Sequence, residues 1–223
     1  MRSFKVHRRW SLAPSIFSTA FLLSIVLASH AAAARLESRV AECGAARESL
    51  TFDIIRKGKT IGTQIVEVYD CDGVNAAVIN VDIAFRMALL RIKATQSVVE
   101  KWRDGSMISF HSERSASFSG DTIIEANRID GVWNIFTNGS LETSDARLAS
   151  SAYWTADLVH AEAVLNIDTG ELIPIVDRSR DGDVYELLRS DGKILRIVVA
   201  GDRIVSTQLV NAGEIEISFV RTD

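Results

Sequence analysis

The feature that most constrains this chain is a recurring two-residue punctuation. Asp-Gly stands at Asp72-Gly73, Asp104-Gly105, Asp130-Gly131, Asp181-Gly182 and Asp191-Gly192, with close equivalents at Lys57-Gly58, Gly201-Asp202 and Ala212-Gly213. Such pairs accept the left-handed backbone of tight hairpin turns, whose twist matches that of the strands they join. The runs between them alternate apolar and polar residues. In the last run Ile215, Ile217 and Phe219 share one face, with Glu214, Glu216 and Ser218 on the other. Near 90–102, Leu90, Ile92, Ala94 and Val98 oppose Arg91, Lys93, Thr95 and Ser97. This rhythm predicts strands at 50–56, 60–69, 74–85, 90–103, 106–114, 122–129, 132–137, 171–178, 183–189, 193–200, 203–210 and 214–221. A flat sheet of about a dozen strands would leave long open edges, so a curved sheet, barrel or half-barrel is expected. The fold class is mainly β: a single antiparallel curved sheet with one short helix, forming one domain over 35–223.

The rhythm stops at 150–170. There Tyr153 and Trp154 precede Thr155, a good helix N-cap, and Leu158, Ala161 and Leu165 make an apolar stripe at helical spacing. A helix of about ten residues is expected over 155–165, lying on the sheet. Asp168-Thr169-Gly170 closes it as a turn. Pro174, in a strand-like run, predicts an edge strand or the start of a strand, because proline cannot donate to a ladder.

Residues 1–34 read as a secretory signal peptide: Arg2, Lys5, Arg8 and Arg9, then an apolar run over 16–27, then small residues, with cleavage after Ala34. The apolar run is shorter than the roughly 20 residues of a membrane span, so no transmembrane segment is expected after cleavage. A periplasmic or secreted location follows. The leader holds four basic and no acidic residues, which takes the net charge from −4 for the whole chain to −8 for the mature one. Nucleic acid and anionic membrane surfaces are thereby disfavoured as partners. Cys43 and Cys71 flank the predicted hairpin at Lys57-Gly58. If opposed positions there sum to 115, Cys43 falls opposite Asp72, and a disulfide to Cys71 is expected.

No motif assigns chemistry. Asp168-Thr169-Gly170 matches an aspartic-protease triplet, but the chain has no second copy and Glu171 follows where those enzymes carry a small residue. A hydrolase would have to draw on His160, Asp157 and Asp168, with Ser150 or Ser151 as nucleophile, and no glycine elbow surrounds these serines. His111 and His160 are the mature histidines and do not stand at metal-ligand spacing; no phosphate loop or zinc signature occurs, so neither cofactor nor metal is expected. Asn138-Gly139-Ser140 is read as a turn, and Trp102 and Trp133 as core residues. The segment 85–92 is read in two ways. It is a bent, buried strand, or its Phe85, Met87, Leu89 and Leu90 form an apolar lip with Tyr153 and Trp154 as a lid.

The stretches GKTIGTQIVEV (58–68), MALLRIKATQSVVEKWRDG (87–105) and SAYWTADL with LNIDTGEL (151–172) resemble a bacterial family of exported β-rich proteins known as a domain of unknown function. The likeness spans nearly all of the mature chain. It departs after the aromatic pair, where Thr155-Ala156 replaces the usual Asn-Pro. The resemblance implies a periplasmic β fold and no activity. Three functions stand in order: a carrier or binding module for an apolar, lipid-like or amphiphilic ligand held by Tyr153, Trp154, Phe85, Met87 and Leu89; an interaction module for another envelope protein, with a solid core; and a hydrolase.

Overall fold

Hairpin after hairpin, the chain builds a 15-stranded sheet whose first half runs outward in one direction and whose second half returns along the other side. The computed structural model describes residues 40, 43–87, 90–117, 120–201 and 203–223; the expected signal peptide at 1–34 lies outside the described residues. The strands are β1 (Glu48–Arg56), β2 (Lys59–Asp70), β3 (Asn75–Met87), β4 (Leu90–Arg103), β5 (Ser106–Ala116), β6 (Gly120–Ile129), β7 (Val132–Thr137), β8 (Ser140–Ser144), β9 (Leu148–Ser150), β10 (Ala163–Leu165), β11 (Leu172–Asp181), β12 (Val184–Arg189), β13 (Ile194–Ala200), β14 (Arg203–Asn211) and β15 (Glu214–Arg221). Their order in space is β8-β7-β6-β5-β4-β3-β2-β1-β15-β14-β13-β12-β11-β10-β9. The termini of the fold therefore meet at its centre, where β1 pairs with β15, while β8 and β9 are the two ends of an unclosed sheet.

The expected strands are present, and three more occupy the region between 140 and 165. The expected helix over 155–165 is corrected: only a 3-10 turn forms, at Ala156–His160. Thr155 does cap it, its side chain accepting from the Asp157 amide, but Ala161 is already extended at φ −65°, ψ 144°. The chain then enters β10, which pairs parallel with β9 and antiparallel with β11. Ladder bonds on both sides outweigh a helical stripe of only three apolar residues. Among the described strands the β9–β10 pair is parallel and the other pairs are antiparallel. Pro174 stands near the start of β11, where that strand passes from pairing with β10 to pairing with β12.

One face of the curved sheet holds the main core. Phe52 and Ile54 of β1, Val66 of β2, Ile79 of β3, Val98 of β4, Ile124 of β6, Trp133 of β7, Leu187 of β12 and Ile197 of β13 are wholly buried there. Trp102 is nearly so. Across this concave face runs the segment 148–167. Leu148, Ala152, Leu158, Val164 and Leu165 belong to the same apolar cluster as the sheet residues, so the chain fills its own interior. On the convex face a smaller cluster joins Val40, Ala76, Val78 and Val99, with Cys43 and Cys71 packed against it.

The disulfide forms between Cys43 and Cys71, with Cα atoms 4.6 Å apart. The register beside it differs from expectation by one residue. Pairs sum to 115 only next to the turn, as in Arg56 with Lys59; beyond a bulge they sum to 116, as in Ile54 with Gly62 and Glu48 with Val68. The extra residue is Ile61. Gly62 sits beside it because a side chain would collide with β3: an added Cβ would lie 2.1 Å from the Asp82 carbonyl oxygen.

Candidate functional site

A segment that crosses an apolar interior brings backbone carbonyls with it, and these need partners. The sheet supplies several of them, and one contact runs the other way, from Arg147 to a turn of the sheet. Gln64 of β2 donates through Nε2 to the Ala152 carbonyl at 2.8 Å. Gln96 of β4 donates to the Ile167 carbonyl and to Ser112 Oγ, and Ser112 of β5 also donates to Ile167. Arg178 of β11 reaches the carbonyls of Val159 at 3.2 Å and Ala161 at 3.0 Å. Arg147 donates to the Gly105 carbonyl at 2.6 Å.

One further attachment is acidic. Glu100 of β4 is wholly buried. Its carboxylate accepts from Ser150 Oγ on one oxygen, and on the other from Trp154 Nε1 at 2.7 Å and Trp102 Nε1 at 2.9 Å. The two indoles meet edge to face, 6.1 Å between centroids and 88° between planes. Burial holds the Glu100 carboxyl above the usual glutamate range; the bonds from Ser150, Trp154 and Trp102 pull the other way. Its chemistry is that of a fastener, since both carboxylate oxygens accept and two of the donors, Ser150 and Trp154, belong to the crossing segment.

Next to it, Tyr153 takes a left-handed backbone, φ 53°, and buries its ring against Phe219 at 5.6 Å. Arg189 Nη1 donates to its hydroxyl, and the same guanidinium holds Asp191 at 2.6 Å. Burial pushes the Tyr153 phenol up to about 12, against the pull of Arg189.

The second feature lies where the inner face emerges beyond the filling segment. A cavity of about 650 Å³ opens among the hairpins Lys57-Gly58 and Ala212-Gly213 and the far end of β3. Its apolar wall is Ile61, Ile83, Phe85, Ile215 and Ile217. Ile83 and Phe85 continue the inward series Ala77, Ile79, Val81 in steps of two, and Ile217 continues from Phe219. Ile61 enters because the bulge turns it there. Arg56, Lys57, Glu214 and Glu216 stand at the rim.

The expected ligand-binding residues are thus divided. Phe85 lines the cavity and Met87 ends β3 two residues further on, while Leu89 lies outside the described residues. Tyr153 and Trp154 do not form a lid over them: both belong to the filling segment, and Trp154 is bonded to Glu100 beside Trp102. The hydrolase candidates do not converge either. Ser150 gives its hydroxyl to Glu100, Ser151 Oγ accepts from the Ile167 amide, Asp168 is held by Arg114 at 3.1 Å, and His160 is exposed at the end of the 3-10 turn. His111 lies between Glu113 at 3.1 Å and Glu125 at 3.3 Å.

Sequence reading missed Glu100. The signal was present: alternation through Ala94 and Val98 carries Glu100 and Trp102 onto the inner face, and an acid at an inward position needs buried donors. Ile61 carried no such signal, since its inward turn depends on a bulge that shifts the alternation by one residue and is set by pairing with β1.

The profile of a family described as a domain of unknown function, DUF6134, matches residues 52–219. No curated protein matches the chain. Among solved structures, a β-barrel-like protein of the domain of unknown function DUF1849 from Brucella abortus is similar in fold, with a TM-score of 0.52 and 8% identity over 78% of this chain and 95% of that one.

Proposed function

We propose that this chain, which belongs to the DUF6134 family of unknown function, is an exported binding module that holds one apolar or amphiphilic molecule at the open end of its half-barrel. The observation that carries this reading is the cavity of about 650 Å³ walled by Ile61, Ile83, Phe85, Ile215 and Ile217. That volume is in the range of small-molecule sites, and a concave apolar surface rimmed by a few charged groups is the usual form of one. The filled interior turns the ligand away from the centre of the sheet and toward this end. The Cys43–Cys71 bond fits the oxidising compartment that the leader at 1–34 addresses. Among the described residues no helix is long and apolar enough to cross a membrane.

A second reading, docking to another envelope protein, draws on the open strand β8, where Leu141 is exposed beside Phe136. Native mass spectrometry of the chain exported to a bacterial periplasm and purified without detergent separates the two. The binding module predicts a lipid-sized mass excess that denaturation removes and that Phe85→Asp abolishes without loss of folding. A bare mass accompanied by a stoichiometric protein partner would replace it with the docking reading.

A further inference from the structure

We infer that the molecule held in the open-end cavity carries an anionic head group, bound at the rim by Arg56 and Lys57; the inference rests on the proposed binding function. The rim is electrostatically uneven. Glu216 is already committed, taking Lys193 Nζ at 2.9 Å on one oxygen and Asn211 Nδ2 at 2.9 Å on the other. The Lys193 contact holds the Glu216 carboxyl below the usual glutamate range, so it stays ionised and paired with Lys193. Arg56 and Lys57 have no carboxylate within ion-pair distance among the described residues. Two cations without a carboxylate partner among the described residues therefore stand at the rim with one such acid, Glu214.

Their positions suit a head group above a buried tail. The Arg56 guanidinium lies 5.2 Å from the centroid of Phe85, which β3 sends into the cavity. An acyl chain resting on Ile83 and Phe85 would bring its polar end to that guanidinium, which can meet a carboxylate or phosphate with two parallel N–H donors. Lys57, in the left-handed turn position at φ 50°, places a second cation next to it in the chain. Against a neutral head group of the same tail, these charges give no advantage.

The test titrates the full mature chain by calorimetry with two probes of equal tail, dodecanoate and its glycerol monoester. Wild type is expected to bind dodecanoate several-fold more tightly. Exposed ion pairs of this kind are worth up to about fivefold each. The Arg56→Gln/Lys57→Gln variant should lose roughly five- to tenfold toward dodecanoate and nothing toward the ester. Glu214→Gln should tighten dodecanoate alone. Raising salt should erase the preference in wild type, because these groups are exposed. Both variants alter exposed side chains, and an unchanged melting temperature establishes that they fold. Equal affinity of wild type for the two probes, or a preference that survives in the double variant, would overturn the anionic head group and leave the cavity reading intact. Failure of both probes to bind would overturn both.

Discussion

Glu100 is the residue on which the interior turns. A buried carboxylate is tolerated when its oxygens are filled, and here two indoles and one hydroxyl fill them. Replacing it with leucine would strand the Trp102 and Trp154 N–H groups in an apolar surround, at about 1–3 kcal/mol each. Urea unfolding should register a loss of about 3 kcal/mol for Glu100→Leu, whereas Trp154→Phe, which removes one donor and keeps the ring packing, should cost less. The same group gives a pH signature. Burial raises its folded value, so the folded chain holds a proton more tightly than the unfolded chain does. Its contribution to stability is greatest in acid and falls as pH rises from the ordinary glutamate value through the raised one. The stability of wild type minus that of Glu100→Gln should therefore decline with rising pH across that window. A difference that grows with pH would mean the three donors outweigh burial.

At the scale of elements, the segment 148–167 is what makes this sheet a solid half-barrel instead of a cup. Its return to the sheet is fixed by Gly170, which has φ 75° and approaches Thr137 of β7 so closely that an added Cβ would lie 2.0 Å from Thr137 Oγ1. Gly170→Ala combines the left-handed penalty of about 1–2 kcal/mol with that collision. Pairing it with Thr137→Ala should recover the part due to the collision, and an additive double-mutant cycle would show that the two do not press on each other. The hairpins were legible in the sequence because each is local: an Asp-Gly turn and two alternating arms specify one another without the rest of the chain. The segment 148–167 was not. Leu158, Ala161 and Leu165 have helical spacing, and the strands that claim Ala163 and Leu165 are β9 and β11, whose arrival no local pattern announces. The site was half legible for the same reason. Phe85 follows from the alternation of β3, while Ile61 depends on a bulge and Trp154 on a carboxylate 54 residues away.

In the whole molecule, first and last strands pair at the centre, β1 with β15, so the two halves of the sheet close on each other through a single ladder. The Cys43–Cys71 bond, spanning 28 positions, ties the segment before β1 to the far end of β2. Removing it by Cys43→Ala/Cys71→Ala should lower stability by about 3–4 kcal/mol in the chain-entropy account, with little change in ligand binding, because the bond lies on the convex face away from the cavity. The chain itself fills the interior, and the ligand proposed above is assigned to the open end. Fluorescence quenching with a bromine-tailed dodecanoate, comparing wild type with Phe85→Trp, distinguishes the two places. Saturable quenching of the indole introduced by Phe85→Trp is expected, with almost none of Trp102, Trp133 and Trp154 in wild type. Strong saturable quenching of those native tryptophans would place the tail among them, and would mean that the segment 148–167 yields its place to the ligand.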